Sequence, residues 1–330
     1  MLATLEAEMS TRGHLTTVAA CAGSQASGVV FATGGESSKP DRLAERNAEH
    51  EARILELLRC TSGSRRLFDL VHDKSGSFWQ RADEFDVPVL ATLHLPRSFY
   101  QVEFENIPRN VYFNCVSHAQ ALTFADVENV VGVVRNGIRV SQFPFKSEKE
   151  DYLLWMGRVC EEKGAHIAIE VAERTGLPLV LAGQVYPFRY HQKYYNDRVR
   201  PYLGSRKPRI SFFETPTMET KTRLLANARA VLVPSRVDET SSLVAMEAMA
   251  CGTPVIGFRR GAIPEVVIDR VTGFVVDNAE EMAEAVWQAG EINPHACRVH
   301  LESSHSAQRM VREYEALYEA VLGERVRKAA

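Results

Sequence analysis

The sequence predicts a doubly wound α/β architecture in two domains. From Asp151 onward, short β-branched or apolar runs alternate with segments of helical spacing, the pattern of repeated βα units. The length of 330 residues, at roughly 150 residues per domain, allows about two separate cores. With 45% hydrophobic and 25% charged residues, the composition is that of a globular chain and excludes disordered, collagenous and coiled-coil classes.

The chain opens on MLATLEAEMSTRG, which reads as a helix, whereas a doubly wound domain normally opens on a strand whose turn leads into its first helix. An initial βα turn is therefore expected to be absent. This opening carries acidic residues and no long apolar core, and nowhere do about 18 apolar residues run together. The expectation is a chain without export signal or transmembrane segment, cytoplasmic or peripheral at the inner membrane surface.

Strands are expected in the first half at LTTVAA (15 to 20), FDLVH (68 to 72), VPVLATLH (87 to 94), VYFNCVS (111 to 117) and NVVGVVRNG (129 to 137). Between the first two, ATGGESSKPD (32 to 41) is a Gly-, Ser- and Pro-rich loop leading into the amphipathic helix DRLAERNAEHEARILELL. Its GG pair reads as flexibility rather than phosphate binding. The polar stretch SQFPFKSEKED (141 to 151) is the expected linker.

Beyond it, YLLWM, PLVLAG, RISFF, AVLVP ending at Pro234, PVIGF and GFVV read as buried parallel strands. HIAIEVAERTG, METKTRLLANA and SSLVAMEAMACG read as helices, the first and last closing on Gly. SAQRMVREYEALYEAVLGERV is a long terminal helix. The expected division is 1–147 for the N-terminal domain, 148–308 for the C-terminal domain, and 309–330 as a helix packing back toward the N-terminal domain.

Charge and cysteines narrow the partners. Against 42 Asp plus Glu, 39 Lys plus Arg leave −3, far from the basic excess that polymeric nucleic acid requires. The six cysteines lie far apart, with no CxxC pair and no His at metal-ligand spacing, and read as scattered buried thiols of a reducing compartment. No metal site is expected.

The most informative stretch is DETSSLVAMEAMACGTPVIGF, where Glu239 and Glu247 bracket seven residues just beyond the strand ending at Pro234. Thr240, Ser241 and Ser242 are all suited to cap the helix that follows. A helix starting near Ser242 points its unpaired amides toward the crevice at the carboxyl ends of the strands, where anions bind in open α/β sheets. Taken alone, two glutamates beside a helix start are more often a cap and a solvated face. Context comes from LLWMGRVCEEKG, which places Arg158 and Lys163 at the same edge, two cations suited to clamp a diphosphate. The bland alternative for these is a pair of solvated loop charges.

The ordered combination GRVCEEKG, E-x7-E, ACGTPVIGFRRGAIPEVV and VTGFVV resembles the retaining GT-B glycosyltransferases of family 4, glycosyl transferases group 1. RGHLTTVAACAGS, FDLVH, VPVLATLHLP, CVSHAQ, VVRNGIRVSQF and RMVREYEALY extend the resemblance over nearly the whole chain. It implies two Rossmann-like domains facing a cleft, a nucleotide diphosphate-sugar on the C-terminal domain and an acceptor on the N-terminal one. The acceptor class stays open among a glycan, a lipid-linked sugar and a small molecule.

Carried over by motif position, Arg158 and Lys163 neutralise the diphosphate without a metal or other cofactor. Ser242, Leu243 and Val244 approach phosphate and sugar with backbone amides, Glu247 accepts from the ribose hydroxyls, and Glu239 contacts the transferred sugar. His94 matches a histidine near that sugar, with a structural role nearly as well supported; His72 and Asn136 read as architecture first. The implied catalytic set is Glu239, His94, Arg158 and Lys163, and the implied reaction is metal-independent hexosyl transfer with retention.

Two departures qualify this. Family members open with a strand and a glycine-rich loop that are absent before MLATLEAEM, so the N-terminal domain is expected to be incomplete. Many also carry Phe-Gly where Ser241 and Ser242 stand here. The alternatives are a non-catalytic nucleotide-sugar-binding protein and, less favoured, a nucleotide-sugar epimerase of the same architecture.

Overall fold

The structure, a computed structural model, describes residues 1–35, 43–60, 67–204 and 207–329. Residues 36–41 of the expected loop and the start of the helix after it lie outside the described residues. The elements are, in order, α1 (Leu2–Thr11), β1 (Thr17–Cys21), β2 (Val29–Gly34), α2 (Leu43–Cys60), β3 (Val71–Asp73), β4 (Val89–Leu93), β5 (Val111–Cys115), α3 (His118–Leu122) and β6 (Val130–Val133). There follow β7 (Glu150–Arg158), α4 (Ala165–Thr175), β8 (Leu179–Gln184), α5 (Arg189–Arg198), β9 (Ile210–Glu214), α6 (Met218–Asn227), β10 (Ala228–Val233) and α7 (Leu243–Ala250). The chain continues through β11 (Val255–Phe258), α8 (Ile263–Val266), β12 (Gly273–Val276), α9 (Ala279–Gln288), α10 (Pro294–Ser304) and α11 (Ala307–Ala329).

Two compact units result, Met1–Gly137 with Ala307–Ala330, and Ile138–Ser306. The first boundary falls before the stretch 141–151 where a linker is expected, because Val140 and Phe143 are already buried in the core of the second unit. The terminal helix α11 belongs to the first unit.

In the first unit, β3, β4, β5 and β6 form one parallel sheet, and β1 and β2 a separate parallel pair. Strand β4 shows why the sheet is apolar throughout. Val89, Ala91 and Leu93 face a core with Trp79 and Phe113, while Leu90 faces the other side among Leu5, Met9 and Tyr314. A strand covered on both faces reads as a continuous apolar run. Strand β2 is a finding beyond the sequence reading: its VVF run is short and sits among Ser and Gly, which resembles loop composition.

Helix α1 is fastened to the β1–β2 pair by Glu6, whose carboxylate accepts from Thr16 Oγ1 at 2.7 Å, Gly28 N at 2.8 Å and Ser27 N at 3.0 Å. Burial pushes this carboxyl up, yet the hydrogen bonds outweigh it and hold it below the ordinary carboxylate range.

The second unit is a six-stranded parallel sheet in the order β12-β11-β10-β7-β8-β9. The order reverses between β7 and β10, which is the topological switch point of a doubly wound sheet. Helix α4 ends on Gly176 in the left-handed conformation, as its sequence leads one to expect.

Four cysteines are buried, whereas Cys21 and Cys60 are exposed, which corrects the reading of all six as buried. Burial pushes the thiols of Cys115, Cys251 and Cys297 up to about 12. Among the described residues no helix is long and apolar enough to cross a membrane.

Candidate functional site

The switch point of the second unit holds a pocket of about 220 Å³. Trp155, Met156 and Gly157 from β7 and Leu232 and Val233 from β10 form its floor, at the carboxyl ends of the two strands. Lys163, Ser235, Glu239, Ser241, Ser242, Leu243 and Val244 complete the lining. Pockets that engulf a drug-sized ligand run to roughly 300–1,000 Å³. This one has room for a phosphoryl or sugar portion, with the remainder of a larger ligand lying along the sheet edge.

Lys163 ends a short 3-10 turn and is followed by Gly164, at φ +70°. A Cβ on Gly164 would lie 2.2 Å from Pro234 O, so only glycine lets this turn pack against the end of β10. The indole Nε1 of Trp155 donates to Lys163 O at 2.9 Å and fixes the turn over the pocket floor. Lys163 Nζ then donates to Glu239 Oε1 at 2.5 Å, and Ser235 Oγ donates to the same oxygen. Glu239 is only 9% exposed.

The loop bearing Glu239 is held from behind. Ala262 N donates to Glu239 O at 2.6 Å, and Gly261, at φ +52°, approaches so closely that a Cβ there would lie 2.3 Å from that oxygen. The GAIPE segment thus acts as a brace for the carboxylate.

Ser242 is the N-cap residue of α7, but its side chain makes no capping hydrogen bond. The expectation of a side-chain cap at this position is corrected. The first turn of α7 opens on the pocket with Leu243 and Val244 in the lining and its dipole's positive end toward it. Ser241 Oγ is buried without a hydrogen-bond partner.

Glu247 lies one turn further along α7 and outside the pocket lining. Its Oε1 accepts from Lys221 Nζ at 2.6 Å, while its buried Oε2 has no partner. Burial raises this carboxyl above its ordinary range, and Lys221 pulls it part of the way back. A buried acceptor without a donor is costly, and a ligand hydroxyl would relieve it. Arg158, at the end of β7, is exposed and its guanidinium hydrogen-bonds to no described residue.

The structure therefore gathers Lys163, Glu239, Ser242, Leu243 and Val244 around one pocket, with Arg158 at the end of the strand that floors it and Glu247 behind. His94 lies in the first unit, just after β4, with its backbone N donating to Tyr100 OH at 2.8 Å. Burial, and then the charge of Lys74, lowers its imidazole to about 4, so it is neutral near pH 7. Among the described residues no three His, Cys, Asp or Glu side chains converge as a metal-ligand set.

Ser235, Lys221 and Gly261 escaped the sequence reading. Ser235 follows the strand-ending Pro234 and sits four residues before Glu239, a spacing that signals a local contact. Lys221 carries no signal of its own, being one of several polar residues on α6.

Residues 139–299 match the family model described as Glycosyl transferases group 1. Glycogen synthase of Mycobacterium tuberculosis is 33% identical over 152 residues, which cover 43% of this chain and 35% of that protein. D-inositol 3-phosphate glycosyltransferase of Mycobacteroides abscessus is 30% identical over 142 residues, 42% of this chain and 32% of that protein. The chain spans about a third of the length of these relatives. Among solved structures, AviGT4, a glycosyltransferase involved in avilamycin A biosynthesis, superposes with a TM-score of 0.72 at 22% identity, covering 98% of this chain and 89% of that one. HepE of Anabaena in complex with UDP-glucose gives 0.70 at 16% identity, covering 88% and 86%. The fold is that of the GT-B glycosyltransferases, with Rossmann-like units.

Proposed function

We propose that this chain is a glycosyltransferase that moves a hexose from a nucleotide diphosphate-sugar to an acceptor, with retention of configuration and without a metal. The observation that carries the reading is the switch-point pocket, where an uncapped helix start, Lys163 and Glu239 converge. The family-model match over residues 139–299 and the likeness to a structure holding UDP-glucose support it.

In this reading the diphosphate displaces Glu239 as the counter-charge of Lys163, with Arg158 and the first turn of α7 taking the remaining oxygens. Glu239 is thereby released to accept from hydroxyls of the transferred sugar, and Glu247 Oε2 gains the ribose hydroxyl it lacks. As the glycosidic bond breaks, negative charge accumulates on the diphosphate, and cations fixed beside it stabilise that state more than the ground state. His94, neutral, serves as hydrogen-bonding group rather than cation. The first unit takes the acceptor, and a cytoplasmic location belongs to the same proposal.

The test is calorimetric titration of UDP, GDP and ADP, with Glu247→Ala as control, followed by transfer assays with UDP- and GDP-sugars. Binding of one nucleotide that Glu247→Ala loses, with turnover that Glu239→Ala abolishes, is the expected result. Absence of binding by every nucleotide overturns the reading; binding without turnover leaves a non-catalytic nucleotide-sugar-binding protein in its place.

A further inference from the structure

The second unit holds another cavity, of about 440 Å³, away from the carboxyl ends of the strands where the switch-point pocket lies. Tyr152 from the start of β7, Val180 from the start of β8, and Ser211 and Phe213 from the edge strand β9 line it. Arg209, just before β9, and Arg223, on α6, stand at its walls. Successive residues of a strand face opposite sides of the sheet. Phe212 packs on Tyr195 of α5 with ring centroids 5.5 Å apart, so Ser211 and Phe213 face the other side. Helix α6 packs over β7 and β10 on that side, and Tyr152 OH donates to Leu224 O at 2.7 Å to tie strand and helix together. Beside α6 the sheet stays open among the described residues: Val180 and Ser211 are half-buried, and Phe213 is 38% exposed. A parallel sheet is normally covered on both faces, so this groove has an apolar floor without a lid.

The cations of the groove are also uncompensated. Arg209 and Arg223 are exposed, and neither guanidinium makes a hydrogen bond or ion pair with a described residue. Of the two carboxylates in the lining, Asp151 is taken by Arg229 Nη1 at 2.6 Å, and Glu150 pairs with no described residue. Two free cations against one free carboxylate leave the groove net positive. Ser211 Oγ has no described partner, whereas Asn227 is occupied, its Oδ1 by Lys146 and its Nδ2 by Arg223 O at 2.7 Å. A guanidinium is a rigid planar fork that binds carboxylate or phosphoryl oxygens in pairs. The volume falls within the roughly 300–1,000 Å³ of cavities that take small organic ligands. A bare anion would leave the floor unfilled, and a neutral apolar molecule would leave both guanidiniums unpaired.

We propose that this groove is a second ligand site, taking a small molecule with a flat apolar body and a carboxylate or phosphoryl group. The body covers Val180 and Phe213, the anionic group pairs with Arg209 and Arg223, and the Ser211 hydroxyl supplies a further donor. The inference does not depend on the glycosyl-transfer reading, because a ligand of the switch-point pocket lies at the carboxyl ends of the strands.

The test follows the leucine and valine methyl groups by NMR in the full chain labelled with 13C at those methyls, with Val180 assigned as the resonance missing from Val180→Ile. The probes are phenyl phosphate and benzoate, with benzyl alcohol as the apolar body alone and inorganic phosphate as the anion alone. The expected result is saturable movement of the Val180 methyls by phenyl phosphate or benzoate, about tenfold tighter than by either control. The double variant Arg209→Gln, Arg223→Gln should weaken that binding about tenfold while leaving the probe-free spectrum of the core methyls in place. A response to only one of the two anions identifies the ligand group as phosphoryl or carboxylate. Val180 methyls unmoved by both, moved equally by a control, or moved as strongly in the double variant overturn the proposal. Val244 lines the switch-point pocket, so its methyls report separately any phosphate bound there.

Discussion

Replacing Lys221 by Met tests how the buried end of the α7 site is held. Lys221 and Glu247 are 2.6 Å apart with side chains 24% and 12% exposed, so the pair lies between a surface and a buried ion pair. Removing one partner of a buried pair costs about 3–5 kcal/mol, and an exposed pair contributes about 0–1 kcal/mol. The intermediate burial puts the expected loss at about 2–3 kcal/mol at pH 8. The pH dependence has a definite sign. Burial already raises the Glu247 carboxyl, and losing Lys221 raises it further above its unfolded value. The folded state then binds more protons than the unfolded state across that window, so stability falls as pH rises through it. Urea unfolding of Lys221→Met against the parent chain should show a deficit at pH 8 that is smaller at pH 5, because the raised carboxyl takes up its proton in the folded state before it does in the unfolded one as pH falls. The double variant Lys221→Met, Glu247→Leu should recover most of the loss at pH 8. A deficit equal at both pH values, or one that Glu247→Leu leaves untouched, refutes the reasoning.

Other consequences are independent of that pair. His94, lowered to about 4 from 6.5, contributes stability that is complete above pH 6.5 and lost as pH falls through 4. His94→Asn should abolish up to about 3 kcal/mol of that acid-dependent loss in urea unfolding at pH 7 and 4.5. Gly261→Ala places a methyl against Glu239 O at a positive φ, at a cost of about 1–3 kcal/mol. It should lower sugar turnover more than nucleotide affinity, as measured by paired kinetics and calorimetry. Chelation by EDTA should leave turnover unchanged if Lys163 and Arg158 supply the counter-charge; loss of turnover restored by magnesium would show that they do not.

The parts of this fold visible in the sequence are those where one physical demand dominates. Strands β7, β8, β10 and β11 are buried on both faces, so Leu153, Leu154, Leu179, Leu181, Val231, Leu232, Val255 and Ile256 make continuous apolar runs bounded by polar turns. Gly164 and Gly176 mark turns because each takes a positive φ. Strand β2 is less legible because its apolar run is short and its outer residue Val29 is 63% exposed, leaving little contrast with a loop. The division at Gly137 is hidden because the polar stretch after it contains the buried Phe143. At the site, residues whose role depends on type and spacing, Glu239, Glu247, Arg158 and Lys163, stand out. Lys221 and Ser235 act through position in three dimensions, which neither residue type nor periodicity encodes.

The Lys163–Glu239 contact leads to the most discriminating consequence of all. In the proposed mechanism the same ammonium serves Glu239 before the ligand arrives and the diphosphate afterwards, so the carboxylate competes with the ligand. A hydrogen bond between charged groups contributes about 1.5–3 kcal/mol net, and each 1.4 kcal/mol is tenfold in affinity. Glu239→Gln keeps the shape and the Ser235 contact but removes the competing charge. It should therefore tighten the binding of a nucleoside diphosphate by about tenfold while sugar transfer is lost, since the neutral amide no longer accepts strongly from the sugar hydroxyls. A residue that merely maintained the fold would weaken both when altered. Weaker nucleotide binding in Glu239→Gln, with unfolding unchanged, would mean that Lys163 does not pass from carboxylate to phosphate, and that the pair is a fixed strut of the pocket wall.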